Sequence, residues 1–458
     1  MMAVNKQPEQ AATLVVGMGV TGLSCARFLT RQGVALRLVD DRETPPLLET
    51  FRQEFVGSDI RLGRFDEAAL QGIDTLLLSP GVSRQHPFVQ LALQRRIEVI
   101  GDIELFARFV NAPVIGITGS NGKSTVTTLV GELLAQAGKT AQVGGNLGTP
   151  ALDLLQSPPP DFYVLELSSF QLESTESLAP EAAVILNISP DHMDRYTDVS
   201  AYAGSKARIY RHARHVIVNK DDPAVAAIAA NFPGPHIAFT AQPPAVGEFG
   251  LVERNGEVFL AHGEQLLIVA GELRLEGGHN LANALAALAL VCAAGVSPYQ
   301  VLPALRNFAG LPHRCQWVAE YNGVRWINDS KATNIGAAAA AVGSMPGSIV
   351  LIGGGDGKGA DFAALRETVR GKVKAAVLLG KDAPLLETAL RDVTTCVRVA
   401  DMQAAVERAA ALAEPGDTVL LAPACASLDM YTNYMARGDD FSRCTLRLIE
   451  RLRGGAGA

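Results

Sequence analysis

The chain has 458 residues, 48% of them hydrophobic, and 47 acidic against 40 basic side chains leave a formal net charge of −7. That length exceeds one ordinary core and predicts two or three domains, and the acidic balance argues against nucleic-acid binding, which leaves a basic footprint. The polar opening MMAVNKQPEQAA lacks a signal peptide's apolar core, and the longest smooth apolar run, Ala284–Val296, is too short to span a bilayer and reads as a buried helix.

Apolar runs of strand length recur along the chain at 13–17, 35–40, 75–79, 114–119, 162–167, 182–188, 215–219, 348–354, 375–380 and 418–423. Helical stretches lie between them, including an alanine-rich one at 336–341. Strand, glycine turn, helix, strand is the pattern of parallel α/β units, and near-continuous apolar strands suit a sheet covered on both faces. Breaks near 101 and 310 predict three α/β domains: a Rossmann-like domain at 1–101, a central P-loop ATPase-like parallel-sheet domain at 102–310, and a Rossmann-like C-terminal domain at 311–458. Six cysteines are scattered without a C-x-x-C pair, which fits reduced thiols in a cytoplasmic enzyme rather than a disulfide framework or zinc site.

Two glycine turns carry the first chemistry. GMGVTG (17–22) follows a strand and opens a helix, and Asp40 ends the next strand. This is the dinucleotide fingerprint in its context, which keeps an NAD-dependent dehydrogenase open, although the same glycines serve any tight strand-to-helix turn. VIGITGSNGKST (114–125) ends like a P-loop, but Ile117 stands where the common pattern has its first glycine. Amides of Gly119, Ser120, Asn121 and Gly122 would face an anion at a helix start, Lys123 would reach terminal phosphates, and Ser124 would ligate magnesium. A bare turn has no need of the Lys-Ser-Thr run.

Other segments leave two readings each. Glu166 closes a strand in LELSSFQLE, either as a phosphate-facing carboxylate or as an ordinary strand-end charge. SPDHMDR crowds Asp191, His192 and Asp194 after a strand, as a magnesium or phosphate loop or as a solvated turn. In GGHNLANALAA, Asn280 is either the N-cap of a helix or, with Asn283 three residues on, a ligand-facing amide.

Together, G-x-x-G-K-S at 119–124, LSSFQLE, NISPDHMDRY, GGHNLANALAA, LPHR, INDSKATN, GGGDGKG and PACASLDMY resemble the Mur ligases over nearly the whole chain. These are ATP-dependent amide-forming enzymes of bacterial cell-wall assembly, tied to cell shape and division. INDSKATN and PACASLDMYTNY are similar to the D-glutamate-adding members. The resemblance implies transfer of ATP's terminal phosphoryl group to a substrate carboxylate, attack of D-glutamate's amine on the acyl phosphate, and a soluble, monomeric, magnesium-dependent enzyme. Another Mur-type or folylpolyglutamate-type ligase is the near alternative, and a P-loop kinase or nucleotide switch a more distant one.

The resemblance also assigns residues. Lys123 with Gly119, Ser120, Asn121, Gly122, Ser124 and Thr125 would hold ATP's phosphates, Asn280 and Asn283 adenine, and Arg314 and Asp329 phosphate and ribose. Ser124, Glu166 and His192 would serve magnesium. Val20, Thr21, Asp40, Arg42, Gly81, Asn146 and His192 would bind UDP-N-acetylmuramoyl-L-alanine. Lys331, Thr333, Lys358, Ser427, Leu428 and Tyr434 would bind D-glutamate. Tyr434 stands where the family has phenylalanine, and Asp41 lacks the hydroxyl expected beside Asp40. Lys206, by composition an ordinary solvated lysine, matches one that family members carbamylate, which would make it a further magnesium ligand.

Overall fold

The computed structural model describes residues 13–155, 158–193, 195–275 and 277–455. Contacts divide the chain into two compact units, one of residues 1–268 with 284–305 and the other of residues 269–283 with 306–458.

The first unit carries two sheets. The first has β1 (Thr13–Val16), β2 (Leu36–Asp40), β3 (Asp59–Leu62), β4 (Thr75–Leu78) and β5 (Glu98–Gly101), all parallel, in the order β3-β2-β1-β4-β5. Every residue of β1 and β2 is buried, as expected where helices cover both faces. The order reverses at β1, so the turns Gly17–Gly22 and Ser79–Val82 adjoin at the carboxyl ends of β1 and β4, where the Ser79 hydroxyl donates to the Gly17 carbonyl at 3.2 Å; such a switch point is where open α/β sheets take ligands.

The second sheet comprises β6 (Val114–Thr118), β7 (Ala141–Gly145), β8 (Phe162–Glu166), β9 (Ala182–Ile185), β10 (His215–Asn219), β11 (His236–Phe239), β12 (Phe249–Arg254), β13 (Glu257–His262) and β14 (Gln265–Val269). Its order is β14-β13-β12-β11-β10-β9-β6-β8-β7. Here the switch falls at β6, flanked by β8 and β9, both parallel to it. β12 and β13 pair antiparallel through Arg254 and Glu257, joined by Asn255 (φ +56°) and Gly256 (φ +77°), a two-residue turn whose positive φ values match the strand twist. One apolar cluster runs from Val15 and Phe28 through Phe106 to Tyr163 and Ala183, so the first two sheets share a core.

The second unit holds β15 (Gln316–Tyr321), β16 (Val324–Asn328), β17 (Ile349–Gly354), β18 (Val373–Leu379), β19 (Thr395–Arg398) and β20 (Thr418–Leu421), in the order β15-β16-β20-β17-β18-β19. Only β15 is shown antiparallel, against β16. Ile327, Leu351 and Leu420 fill one core cluster, and Val350, Val377 and Val419 the other.

Each apolar run read from the sequence contains a strand, although several end earlier: the 182–188 run is strand only to Ile185. The runs did not reveal β3, β5, β7, β11–β16 or β19, most of which are short or carry polar and exposed positions. The alanine-rich stretch lies in helix Ile335–Ser344, capped by Asn334. The run at 284–296 falls largely within helix Gly278–Ala293, which begins before Asn280; Asn280 therefore occupies the first turn and is not the N-cap. No helix among the described residues is long and apolar enough to cross a membrane.

Candidate active site

At the first switch point the glycine turn is built by close approach. Gly17 has φ +97°, and a Cβ on Gly22 would lie 1.9 Å from the Gly17 carbonyl oxygen, so helix Val20–Arg31 can start against β1 only with glycine there. Asp40 is buried and accepts from the Met18 amide at 2.7 Å, while Arg42 forks onto both its oxygens at 2.7 Å. Burial opposes the charge, but these bonds outweigh it and hold the carboxyl below the usual range. Asp40 thus braces the turn. Val20 (62% exposed), half-buried Thr21, and exposed Arg42 and Gly81 remain at the carboxyl ends of β1, β2 and β4.

At the second switch point, Gly119 (φ +149°) and Gly122 (φ +85°) shape the loop between β6 and helix Lys123–Gln136. Asn187 clamps that loop, accepting from the Asn121 amide at 2.8 Å and donating to its carbonyl at 3.1 Å. The Ser120 hydroxyl donates to the Ser189 carbonyl at 3.0 Å and accepts from the Ser189 amide at 2.9 Å. Lys123 folds back onto the carbonyls of Gly119 (2.8 Å) and Ser120 (3.0 Å), while Ser124 and Thr125 are buried in the first helical turn.

Glu166, at the end of β8, is buried; its Oε1 accepts from exposed Asn146 at 2.8 Å and its Oε2 has no protein partner. Lys206 is only 1% exposed, in helix Val199–Ala207, which Asp198 caps. Its ammonium donates to the Gly119 carbonyl at 3.0 Å and the Thr118 hydroxyl at 3.4 Å, and lies 4.6 Å from the centre of the Tyr202 ring. Burial, followed by the nearby Lys123 charge, pushes its pKa well below that of an ordinary lysine. The solvated reading of Lys206 is therefore wrong. His192 has different neighbours: its ring packs on Phe170 at 4.7 Å, and its backbone takes φ +56°. Asp194 lies outside the described residues.

In the second unit, buried Asn280 and Asn283 meet each other, Nδ2 to Oδ1 at 3.2 Å. Burial pushes the Asp329 carboxyl up to about 6 even though it accepts from the Cys315 amide at 3.2 Å; Arg314 is half-buried one residue before Cys315. Lys331 sits 4.2 Å from the centre of the Tyr434 ring, with half-buried Thr333 two residues on. Past the carboxyl ends of β17 and β20 come exposed Lys358, buried Ser427 and Leu428, which is 68% exposed.

The chain matches the MurD-like N-terminal domain of Mur ligases over residues 11–101, the Mur ligase middle domain over 117–291, and the Mur ligase glutamate ligase domain over 313–425. It is 51% identical to the UDP-N-acetylmuramoylalanine–D-glutamate ligase of Nitrosococcus oceani, over 97% of this chain and 98% of that one. The ligase of the same name from Pseudomonas putida is also 51% identical, over 96% and 99%. The chain belongs to the Mur ligase family. MurF ligase from Thermotoga maritima, solved in complex with ADP, shares the Mur ligase fold at TM-score 0.60 and 17% identity, covering 96% of each chain.

A Mur ligase forms an amide bond at the expense of ATP, and the glycine loop fits a nucleotide's phosphates. A Cβ on Gly119 would touch Leu186 at 3.0 Å, leaving no room for a larger residue in the turn. The orphaned Oε2 of Glu166 and the Ser124 hydroxyl are oxygen donors of the kind magnesium takes. Among the described residues no group of three His, Cys, Asp or Glu side chains could hold a metal, so such an ion would rely on mixed donors.

Two arginines escaped the sequence reading. Arg437 is buried, and its guanidinium donates to the Ser330 hydroxyl (3.0 Å) and to the carbonyls of Ser330 (2.8 Å), Cys425 (3.1 Å) and Gly354 (3.4 Å), tying together the loops after β16, β17 and β20. A single arginine near the start of a long helix leaves no pattern to find. Arg195 closes SPDHMDR, and nothing in that motif assigns it a role.

Proposed function

We propose that the chain joins D-glutamate to UDP-N-acetylmuramoyl-L-alanine with hydrolysis of ATP, a step in peptidoglycan precursor synthesis. The observation that carries this reading is similarity over 97% of the chain to a ligase of that name. The three carboxyl-end sites support it chemically. A carboxylate is a poor electrophile at neutral pH. Phosphorylation by ATP gives an acyl phosphate, which the amine of D-glutamate attacks, expelling phosphate from a tetrahedral intermediate.

In this reading the Gly119–Gly122 amides and Lys123 hold the phosphates, with Lys123 leaving the carbonyls it now bonds. Ser124 and Glu166 supply oxygens to magnesium, and His192 and a carbamylated Lys206 complete that set. Magnesium, when bound, offsets the charge that builds on the transferring phosphoryl group. Asn280, Asn283, Arg314 and Asp329 serve the nucleoside end. Val20, Thr21, Arg42, Gly81 and Asn146 receive the UDP-substrate, with Asp40 acting through the turn it braces. Lys331, Thr333, Lys358, Ser427, Leu428 and Tyr434 receive D-glutamate. Three domains with breaks near 101 and 310 share these tasks, in a cytoplasmic monomer.

The test is ADP release with UDP-N-acetylmuramoyl-L-alanine and, in turn, D-glutamate, L-glutamate, L-lysine or meso-diaminopimelate. D-Glutamate alone should support turnover. Turnover with L-glutamate but not D-glutamate would overturn the assignment and favour another ligase of the family.

A further inference from the structure

Arg195 joins parts of the first unit that lie far apart in sequence. Its side chain is 12% exposed, and Nη1 donates to the Pro80 carbonyl at 2.7 Å. Nη2 donates to Glu173 at 2.7 Å and, at 3.5 Å, reaches the Val82 carbonyl. The guanidinium carbon lies 4.1 Å from the centre of the Phe170 ring. That same ring carries the His192 imidazole at 4.7 Å. The backbone repeats the link, because the amides of Arg195 and Tyr196 donate to the His192 carbonyl at 2.9 and 3.1 Å.

A plain structural reading would make this an ion pair within the central sheet's loops that also pins the Pro80–Val82 loop. Three observations ask for more. The two carbonyls flank exposed Gly81, in the turn after β4 beside β1. His192 holds φ +56°, a conformation that costs a non-glycine residue about 1 kcal/mol or more and persists only when its surroundings impose it. The buried Nε has no partner, so the guanidinium is placed by where its other nitrogens must reach.

We propose that Arg195 is a positioning residue that ties the Pro80–Val82 loop, through Phe170, to the orientation of His192, and so couples binding of the UDP-substrate to binding of magnesium–nucleotide. This rests on the functional reading above, which puts Gly81 with the first ligand and His192 with both. Any shift of the loop strains a charge-assisted bond, and the rigid guanidinium passes the strain to the ring it lies on. The coupling is reciprocal: each ligand raises the other's affinity by the same factor. Lysine cannot substitute, since one ammonium cannot span a carbonyl and a carboxylate while lying flat on a ring.

The test measures, by calorimetry on the full chain, the dissociation constant of UDP-N-acetylmuramoyl-L-alanine with and without a non-hydrolysable ATP analogue plus magnesium. The unaltered protein should bind at least about five-fold more tightly with the analogue present. Arg195→Lys and Arg195→Met should reduce that factor to less than about two-fold while each still binds the analogue alone. Phe170→Leu, which keeps the Glu173 ion pair, should do the same and serves if Arg195→Met fails to fold. A variant that keeps the original coupling factor, or an unaltered protein that shows none, overturns the proposal. Absence of D-glutamate-dependent ADP release in the unaltered protein would instead sink the functional reading.

Discussion

The Lys206 ammonium lies 3.0 Å from the carbonyl oxygen of Gly119, the same oxygen that Lys123 bonds at 2.8 Å. Two cations share one buried acceptor, and the more buried of them is driven toward its neutral form. A neutral amine is the form that adds carbon dioxide, giving a carbamate and releasing one proton. Such a carbamate would turn a group that repels magnesium into one that ligates it. Protein equilibrated with ¹³C-bicarbonate should show a carbamate carbon by NMR that Lys206→Ala lacks. Lys206→Ala should also lose roughly 100-fold or more in turnover, the scale of deleting one preorganised electrostatic group, while UDP-substrate affinity stays nearly unchanged. Near-normal turnover would remove the carbamate from the mechanism.

The same burial has a price in the ligand-free protein. A lysine whose folded pKa is depressed binds its proton more readily in the unfolded chain, so its contribution to stability improves as pH rises toward the ordinary lysine value and worsens as pH falls. Lys206→Met should therefore raise the melting temperature at pH 7, by the equivalent of roughly 1–3 kcal/mol, with a smaller gain near pH 10. A lowered melting temperature at pH 7 would mean that the ammonium's bonds outweigh its desolvation.

Asp102 titrates in the opposite sense. Burial pushes its carboxyl up to about 6 although Gln171 donates to it at 2.9 Å, and its Oδ1 has no partner. With the folded pKa above the unfolded one, its contribution is present below about 4 and is lost as pH rises through 6. Asp102→Asn should thus stabilise the protein at pH 8, by up to about 3 kcal/mol, and by far less at pH 4. Equal shifts at both pH values in thermal scans would show that the carboxyl is not the source.

The first glycine turn separates two superficially similar changes. A Cβ on Gly22 meets the Gly17 carbonyl at 1.9 Å, whereas one on Gly19 has nothing within 4 Å. Gly19→Ala should fold with a near-normal melting temperature. Gly22→Ala should lose several degrees and bind the UDP-substrate poorly. Comparable melting temperatures for the two would show that helix Val20–Arg31 can back away from β1.

Arg437→Met should destabilise the second unit by roughly 3–5 kcal/mol, because it strips the hydrogen bonds from buried carbonyls of three loops. Chemical denaturation followed by the fluorescence of Trp317 and Trp326, the chain's two tryptophans, reports on that unit. Arg437→Lys should recover part of the loss and still raise the KM for D-glutamate. A KM for D-glutamate unchanged in both variants would show that the loops hold their shape without the guanidinium.

The central strands were legible because both faces are buried, so β1, β6, β8 and β17 read as apolar runs. β12 and β13 could not be read that way, since their outer positions are exposed and polar. Glycine turns revealed where phosphates would bind because chain geometry forbids a side chain there. The surroundings of Lys206 were not legible: nothing in SAYAGSKARIY says that Gly119, far away in sequence, will supply the carbonyl above it. Arg195 and Arg437 were missed for the same reason, since each acts across loops that only the folded sheets bring together.

The β12–β13 hairpin offers a practical handle. Its Asn255–Gly256 tip is exposed, and four inter-strand steps separate β12 from β6, roughly 19 Å at the usual spacing. Below the tip the cross-strand ladder runs from Arg254–Glu257 to Phe249–His262. A short peptide tag or a fluorophore-bearing cysteine spliced between Asn255 and Gly256 would ride on β12 and β13, next to the edge strand β14, and leave the glycine loop untouched. The enzyme thus carries a docking point for immobilisation or single-molecule observation that requires no alteration at any of its three carboxyl-end sites.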